Sequence, residues 1–478
     1  MLSPTVQQFV TEYVKELDAG TAAVFAGAGL SVGAGFVDWT GLLEPIAREL
    51  GLDSKIEQDH LVALAQYHVN QNGDNRSELH RRLLEEFPAC QTPSENHHIL
   101  ARLPIPVYWT TNYDRLIERA LEGAGKIPDV KYTKPQLANT KPRRDSVVYK
   151  MHGDVEHPDQ AVLTKDDYER YATDHAPFVT ALSGDLVSRT FLFLGFSFKD
   201  PNLDYVLSRI RIHMERNGRR HYCVLRQVQP RDFGSVDEFN YAKIKQGLAI
   251  EDLKRFNIKT LLVDDYADIT ELLRAIQAGY RKRIIFVSGS AEVFGDWEKQ
   301  DVEEFLVDLG RILVDRDYQI VSGFGWGISN ALLSGATEKI YNERKGHFDD
   351  FLIVRPFPRY VADPSNRKEI WTRYRQDMIQ RAGVALFLFG NKQVNGEIVL
   401  ADGVVQEFEL AQQYGLELVP VGATGFVAEE LGKKMFGNLD GRSREYVEAF
   451  KRLQEPVERP QELSSRIIEF LDQLNARG

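Results

Sequence analysis

The feature that most constrains the fold is a repeated pattern: a short apolar run ends in glycine, asparagine or histidine, and a helical segment follows. In the first part of the chain the pattern occurs at residues 25–31 (FAGAGLS), 110–114 (TTNYD), 152–154 (HGD) and 195–198 (GFSF). Apolar runs that alternate with helical segments are typical of a parallel sheet covered by helices on both faces. Because ligands bind at the carboxyl edge of such a sheet, the four segments are expected to form one site.

The pattern restarts later in the chain, where the apolar run 284–287 leads into a second glycine-containing turn, 288–291 (SGSA). A chain of 478 residues is long enough for more than one domain, each with its own core. The sequence therefore predicts an α/β protein with two doubly wound, Rossmann-like parallel-sheet domains, residues 1–282 and 283–478. Helical spacing of apolar positions over residues 41–100 predicts a helical insert in the first domain.

Composition argues against several classes of protein. A formal net charge of -11 disfavours a nucleic-acid surface, because Lys and Arg supply most of such affinity. No segment approaches the ~20 apolar residues of a membrane span, and the charged first twenty residues are unlike a signal peptide. We expect a cytoplasmic protein with neither nucleic-acid nor membrane partners. The two cysteines, Cys90 and Cys223, offer no zinc tetrad, so no metal site is expected.

The first glycine loop, Ala26-Gly27-Ala28-Gly29, has the composition of a phosphate-binding turn, and Ser31 follows it. Small residues let a pyrophosphate approach the backbone N–H groups and the positive end of a helix dipole. A tight strand-to-helix turn without a ligand has the same composition. The three other segments at the same predicted edge favour the ligand-binding interpretation.

Asn112 and Asp114 follow one apolar run, and His152 follows the next. An amide can donate and accept at once, so Asn112 can hold a ribose hydroxyl or a water, although Asn and Asp also cap turns. A histidine with a near-neutral pKa can take a proton from either group. A lone histidine at this position would more often be structural.

The ordered set resembles the sirtuin family, whose nucleotide site carries a GAG-x-S loop, a TQNID-like segment, an HG dipeptide and a GTS-like turn. The resemblance implies an NAD site in which Asn112 and His152 are catalytic. Nicotinamide is a cationic leaving group, so its cleavage from ribose needs a positioned acceptor and dipolar groups more than acid assistance. The nucleotide-binding set that the resemblance implies is Ala26, Gly27, Ala28, Gly29, Ser31, Asp38, Asp114, Gly195 and Ser197.

Three departures separate the chain from sirtuin deacylases. The four-cysteine zinc module is missing, Thr111 and Tyr113 replace the family's Gln and Ile, and Thr40 stands where an Arg usually follows the segment of Asp38. These changes alter the polarity and shape of the acceptor side of the pocket. They favour water or a different acceptor over an acylated peptide.

The second domain resembles the SLOG superfamily of nucleotide-binding domains, on segments 288–291 (SGSA), 322–327 (SGFGWG) and 403–407 (GVVQE). Related phosphoribohydrolases carry PGG-x-GT-x-x-E at the last of these, and only Gly403 and Glu407 of that motif remain. The nucleotide scaffold is kept while the catalytic phosphate cradle is degraded. Binding without turnover is therefore expected.

Two cations near these loops, Arg375 and Lys392, suit a diphosphate, and Glu407 can accept from ribose hydroxyls or an adenine amino group. For each cation alone, a solvated surface charge is the alternative. The predicted activator-binding set is Gly289, Ser290, Gly323, Gly325, Arg375, Lys392 and Glu407.

A zinc-free sirtuin-like domain fused to a SLOG domain resembles the NAD-cleaving effectors of bacterial Thoeris anti-phage systems. The resemblance implies that a TIR-domain partner makes a cyclic ADP-ribose isomer, that the SLOG domain binds it, and that the first domain then depletes NAD. It also implies a homo-oligomer, with a tetramer suspected, and no cofactor beyond NAD as substrate. Two alternatives stay open: a sirtuin-type protein deacylase or ADP-ribosyltransferase, and a nucleotide sensor without turnover.

Overall fold

The computed structural model describes residues 3–53, 60–88, 90–198, 200–214, 217–343, 346–357, 366–437, 439 and 441–475. The chain divides into two compact units, Met1–Gln277 and Ala278–Gly478. The division falls slightly before the predicted boundary after residue 282. Each unit is built around one parallel sheet flanked by helices, which confirms the predicted α/β fold class with two Rossmann-like domains.

Among the described residues of the first unit, seven strands build the sheet: β1 (Ala22–Ala26), β2 (Val107–Thr110), β3 (Pro128–Lys131), β4 (Ser146–Lys150), β5 (Thr190–Leu194), β6 (His221–Arg226) and β7 (Ile258–Val263). Their order is β3-β4-β2-β1-β5-β6-β7, and all neighbouring pairs are parallel. The chain leaves β1 toward β2 on one side and returns to β5 on the other. A crevice at the carboxyl ends is expected where the strand order reverses in this way.

The helices of the first unit are α1 (Pro4–Asp18), α2 (Ala28–Val32), α3 (Trp39–Glu49), α4 (Leu61–Gln71), α5 (Ser77–Glu86), α6 (Glu95–Arg102), α7 (Leu116–Gly123), α8 (Lys134–Ala138), α9 (Lys165–Asp174), α10 (Ala176–Ser188), α11 (Pro201–Met214), α12 (Val236–Leu253) and α13 (Tyr266–Arg281), the last of which crosses the division. The predicted helical insert corresponds to α3 to α6. Buried leucines of α3, α4 and α5 form one cluster with Tyr113 and Leu163. The insert therefore packs on the segments that follow β2 and β4.

The described residues of the second unit also include seven strands: β8 (Ile284–Ser290), β9 (Gln319–Ser322), β10 (Leu352–Val354), β11 (Val384–Phe389), β12 (Asn391–Val394), β13 (Glu397–Leu400) and β14 (Glu417–Pro420). Five of them form a parallel sheet in the order β10-β9-β8-β11-β14, whose order reverses between β8 and β11. The other two, β12 and β13, pair as an antiparallel hairpin. The hairpin occupies the place where a phosphoribohydrolase would carry its PGG motif.

The helices of the second unit are α14 (Lys299–Asp315), α15 (Ser329–Glu343), α16 (Phe348–Phe351), α17 (Arg367–Ile379), α18 (Asp402–Gln413), α19 (Phe426–Phe436), α20 (Arg444–Arg452) and α21 (Glu462–Asn475). Close packing of α14 on α15 depends on glycine: a Cβ on Gly310 would lie 2.1 Å from the carbonyl oxygen of Leu332. None of the described helices combines the length and the apolar content that crossing a membrane requires.

Candidate functional site

The glycine loop after β1 packs directly on the turn after β5. A Cβ built on Gly27 would lie 2.4 Å from the carbonyl oxygen of Gly195, and one on Gly29 would lie 2.9 Å from the Cα of Gly195. The N–H of Gly27 donates to the Leu194 carbonyl and that of Gly29 to the Gly195 carbonyl, both at 2.9 Å. Two amides that were expected to face a pyrophosphate therefore join two loops. Loop packing is the reason that the structure gives for glycine at these positions.

Three polar side chains meet beside this loop at the carboxyl edge of the sheet. The hydroxyl of Ser31 donates to the Asp114 carboxylate at 2.7 Å. The Nδ2 of Asn112 donates to the Ser31 hydroxyl at 2.9 Å and to the Gly27 carbonyl at 3.0 Å. Both Nδ2 hydrogens are thereby used, which leaves the Oδ1 oxygen as the remaining polar group of the amide. Asn112 can therefore offer an acceptor to a hydroxyl or a water.

The backbone around this cluster is also held in place. Thr110, the last residue of β2, donates its hydroxyl to the Ala26 carbonyl and accepts from the Asn112 N–H, each at 2.9 Å. The other Asp114 oxygen accepts from the Leu116 N–H at 2.9 Å, at the start of α7. Ser31 and Asp114 are 2% and 5% exposed. Burial and these hydrogen bonds give the cluster a defined geometry.

The imidazole of His152 is buried just beyond the end of β4. Its Nδ1 lies 3.4 Å from the Tyr168 hydroxyl, and its Nε2 lies 3.3 Å from an Asp200 oxygen without forming a hydrogen bond to any described residue. Burial lowers the pKa of His152, while the charges of Asp200 and Asp167 act in the opposite direction. Only a neutral ring can accept a proton, so the burial of His152 favours the form that a general base requires.

The loops that carry Asn112 and His152 are connected to each other. The Val155 N–H donates to the Tyr113 carbonyl at 3.0 Å. The Tyr113 hydroxyl donates to the Val162 carbonyl at 2.7 Å, and the Val162 N–H donates to the His152 carbonyl at 2.9 Å. The structure thus joins the two segments through their backbones and through the tyrosine that replaces the sirtuin isoleucine.

The remaining predicted residues of the first unit each have a local structural position. Ala26 ends β1 and Ala28 begins α2. Asp38 is exposed and caps α3, accepting from the Gly41 N–H at 2.8 Å. Ser197 is exposed in the turn after β5. Their assignment to nucleotide binding stays a prediction.

Sequence reasoning missed Tyr168 and Asp200. Tyr168 lies on α9, far from the glycine and asparagine segments in sequence, and no local pattern indicated it. Asp200 also accepts from the N–H groups of Asn202 and Leu203 at the start of α11. Its position shortly after Gly195, in the same segment as the predicted turn, was the available signal.

In the second unit the structure brings Arg375 and Glu407 together. The Nε of Arg375 lies 3.3 Å from Glu407, whose other oxygen accepts from the Ser288 hydroxyl at 2.6 Å. The guanidinium also donates to Gln406 at 3.0 Å and lies 4.7 Å from the ring centre of Phe357. Burial raises the pKa of Glu407, while Ser288 and Arg375 lower it. The structure therefore contains a nearly buried ion pair beside the glycine loops.

The glycines of the second unit pack like those of the first. A Cβ on Gly325 would lie 2.0 Å from the Gly289 carbonyl oxygen, so the end of β8 and the loop after β9 touch through their backbones. Gly323 accepts from the Phe357 N–H at 3.2 Å. The Ser290 hydroxyl donates to the Asn391 carbonyl at 3.0 Å. These contacts bring the two predicted loops and Phe357 together.

Lys392 has a different environment from Arg375. It lies on the hairpin strand β12, and its half-exposed ammonium pairs with Asp402 at the start of α18. The ion pair is intramolecular and solvent-accessible. The assignment of Lys392 to a ligand phosphate stays a prediction.

Within the described ranges of the chain, no group of three or more His, Cys, Asp or Glu side chains is arranged to hold a metal ion. The expectation that zinc is not required stays a prediction.

Comparison with known proteins gives two family matches and several relatives. A SIR2-like domain family matches residues 106–246, and the Sir2- and TIR-associating SLOG family matches residues 268–474. "NAD(+) hydrolase ThsA" of Acinetobacter baumannii (strain 532279) is 50% identical over 472 residues, which are 97% of this chain and 98% of that protein. The chain belongs to the family of ThsA NAD(+) hydrolases.

Other ThsA proteins agree with the assignment. "NAD(+) hydrolase ThsA" of Bacillus cereus (strain MSX-D12) is 48% identical over 478 residues, 99% of each chain. A partial match, "Defense-associated sirtuin 2" of Bacillus subtilis, is 27% identical over 219 residues, 44% of this chain and 21% of that protein. The similarity to ThsA proteins thus extends over both units, whereas the similarity to the defence sirtuin is partial.

Proposed function

We propose that the first unit hydrolyses NAD to nicotinamide and ADP-ribose. The observation that carries the proposal is the cluster of Asn112, Ser31 and Asp114 at the carboxyl edge of the sheet, linked through several loop hydrogen bonds to the buried His152, whose pKa burial lowers. Membership of the family of NAD(+) hydrolases supports it. The absence of a sirtuin zinc module from the sequence favours water as the acceptor.

In the proposed reaction the bond between the ribose anomeric carbon and the nicotinamide nitrogen breaks, and its electron pair neutralises the cationic ring. The Asn112 Oδ1 accepts from a ribose hydroxyl or the attacking water and so orients it. The water oxygen bonds to the anomeric carbon, and one of the water protons passes to the imidazole of His152. The Asp114 charge stabilises the positive charge that develops on the sugar.

We further propose that the second unit senses a cyclic ADP-ribose isomer that a TIR-domain partner makes during phage infection. The match to a family described as Sir2- and TIR-associating supports this role. The ion pair of Arg375 with Glu407 supplies both a cation for phosphates and an acceptor for hydroxyl or amino groups. Such a ligand activates only by binding the active arrangement more tightly than the resting one. Assembly into a homo-oligomer, with a tetramer suspected, is part of the same proposal.

One assay tests these proposals together. The full-length protein is incubated with NAD, and nicotinamide release is measured under three conditions: without any addition, with a cyclic ADP-ribose isomer, and with an acetylated peptide. We expect release that the isomer stimulates and the peptide leaves unchanged. Release that requires the acetylated peptide would indicate a deacylase instead, and no release under any condition would leave only the sensor.

A further inference from the structure

Lys150, the last residue of β4, is completely buried just before His152. Its ammonium donates to the carbonyls of Tyr113 at 3.0 Å and Asp114 at 2.6 Å, and to the carboxylate of Asp154. An ammonium has three hydrogens, so these contacts use all of its donors. The lysine therefore connects the segment after β2 with the segment after β4.

The charge of Lys150 is balanced inside the unit. Glu118 of α7 is 1% exposed, and one of its oxygens lies 3.2 Å from the ammonium. Asp154 and Asp114 are buried nearby. Burial disfavours the charged amine, but Glu118 and Asp154 outweigh it and raise the pKa of Lys150. A buried ammonium that stays charged keeps its directional hydrogen bonds.

The partners of Lys150 flank both predicted catalytic residues. Tyr113 follows Asn112 directly, and its carbonyl accepts from both the Lys150 ammonium and the Val155 N–H. His152 lies between Lys150 and Asp154, the carboxylate that the ammonium holds. Movement of either segment would therefore change the separation of the Asn112 amide from the His152 imidazole.

We propose that Lys150 is a positioning residue for NAD cleavage, which fixes Asn112 and His152 relative to each other through the Tyr113, Asp114 and Asp154 contacts. The inference rests on the proposed function. Misplacement of reacting groups by about 1 Å costs about 100-fold in rate. Loss of Lys150 is therefore expected to lower kcat without a matching change in KM.

A second buried lysine of the same sheet provides a matched control. Lys131 is the last residue of β3 and is 3% exposed. Its ammonium pairs with Asp129 at 2.8 Å and donates to the Asn139 carbonyl. Neither partner carries a predicted catalytic group. The same Lys→Met change at the two positions thus separates a general effect of losing a buried ammonium from an effect on the catalytic segments.

The experiment compares Lys150→Met and Lys131→Met in the full-length protein. We expect both to lower the Tm, but only Lys150→Met to lower kcat for nicotinamide release by about 100-fold, with KM within about threefold of wild type. An activity loss that follows the folded fraction equally in both variants would overturn the proposal. If Lys150→Met does not fold, the double variant Lys150→Met/Glu118→Gln is measured instead. The second change replaces the Glu118 carboxylate, which loss of the lysine would leave without its cation.

Hydrogen–deuterium exchange gives a readout that does not depend on catalysis. The Val155 amide should exchange faster in Lys150→Met than in wild type, and at the wild-type rate in Lys131→Met. Unchanged protection of Val155 in Lys150→Met would overturn the coupling of the two segments. If the wild-type protein releases no nicotinamide either with or without a cyclic ADP-ribose isomer, the proposed function fails, whereas the exchange data still decide whether Lys150 joins the segments.

Discussion

The hydroxyl of Ser31 donates a 2.7 Å hydrogen bond to the carboxylate of Asp114, 83 positions away in the chain. An ionised carboxylate can only accept, so the serine hydrogen must point toward Asp114. The serine oxygen is then free to accept, and it does so from the Asn112 Nδ2 at 2.9 Å. With the Gly27 carbonyl as the second partner of Nδ2, these bonds leave the carbonyl oxygen as the remaining polar group of the Asn112 amide, an acceptor for water or a sugar hydroxyl.

Ser31→Ala should lower kcat for nicotinamide release by about 10- to 100-fold, because a buried hydrogen-bonded group left without its partner costs about 1–3 kcal/mol. The Asp114 carboxylate loses a donor, and the Asn112 amide loses the contact that orients it. Steady-state kinetics on the full-length protein give the measurement, with the exposed helical Ser188→Ala as control. Wild-type kcat in a folded Ser31→Ala protein would contradict the role of the cluster.

His152→Ala and Asn112→Ala should each abolish NAD cleavage while leaving the protein folded. General acid–base groups contribute about 100- to 10,000-fold, so a loss of at least that order is expected for His152. His157→Ala, a change to a nearby histidine that stacks on Tyr132, is the matched control. Full activity of folded His152→Ala would remove the assigned base.

The pH dependence of kcat/KM should reflect the lowered pKa of His152. The neutral ring is the active form, so activity falls as the pH drops, and the fall should begin below the ordinary histidine pKa of about 6.5. Asp200 raises the pKa of His152, so Asp200→Asn should move the acid limb to still lower pH. A shift of that limb to higher pH would show that Asp200 does not act on His152 through its charge.

Arg375→Ala and Glu407→Ala should abolish activation by a cyclic ADP-ribose isomer and leave the catalytic groups intact. Each change leaves the other member of the ion pair without its partner and removes a ligand contact. Arg373→Ala, which changes an exposed arginine on the same helix, is the control, and this variant should be activated normally.

Calorimetric titration of the full-length His152→Ala protein should still detect binding of the isomer. An isomer that binds Arg375→Ala and Glu407→Ala as tightly as wild type would place the sensor site elsewhere.

Chelation should leave NAD cleavage unchanged, since the leaving group already carries positive charge and the two cysteines provide no zinc tetrad. The test compares nicotinamide release before and after exhaustive dialysis against EDTA, with metal content measured on the same samples. A stoichiometric metal whose removal stops turnover would contradict the prediction.

Much of the fold could be predicted because continuous apolar runs mark strands buried on both faces. The strands β1, β2, β4 and β5 are predicted in this way, and with them the sheet edge at which Asn112 and His152 follow β2 and β4. The edge strand β3 was missed, since its four residues include Asp129 and Lys131 and form no apolar run. The hairpin of β12 and β13 was missed as well, because all of β13 is exposed and has no core face to impose a period.

The sequence by itself determined which chemical groups reach the carboxyl edges of the two sheets. Tertiary structure alone decided what those groups contact: Gly27 packs on Gly195, Asn112 donates to Ser31, and Lys150 connects two loops. The physical reason is the separation in sequence between the interacting residues. Apolar periodicity records the burial of a local element, whereas a hydrogen bond between residues far apart in the chain depends on how whole elements pack, and no local pattern encodes that packing.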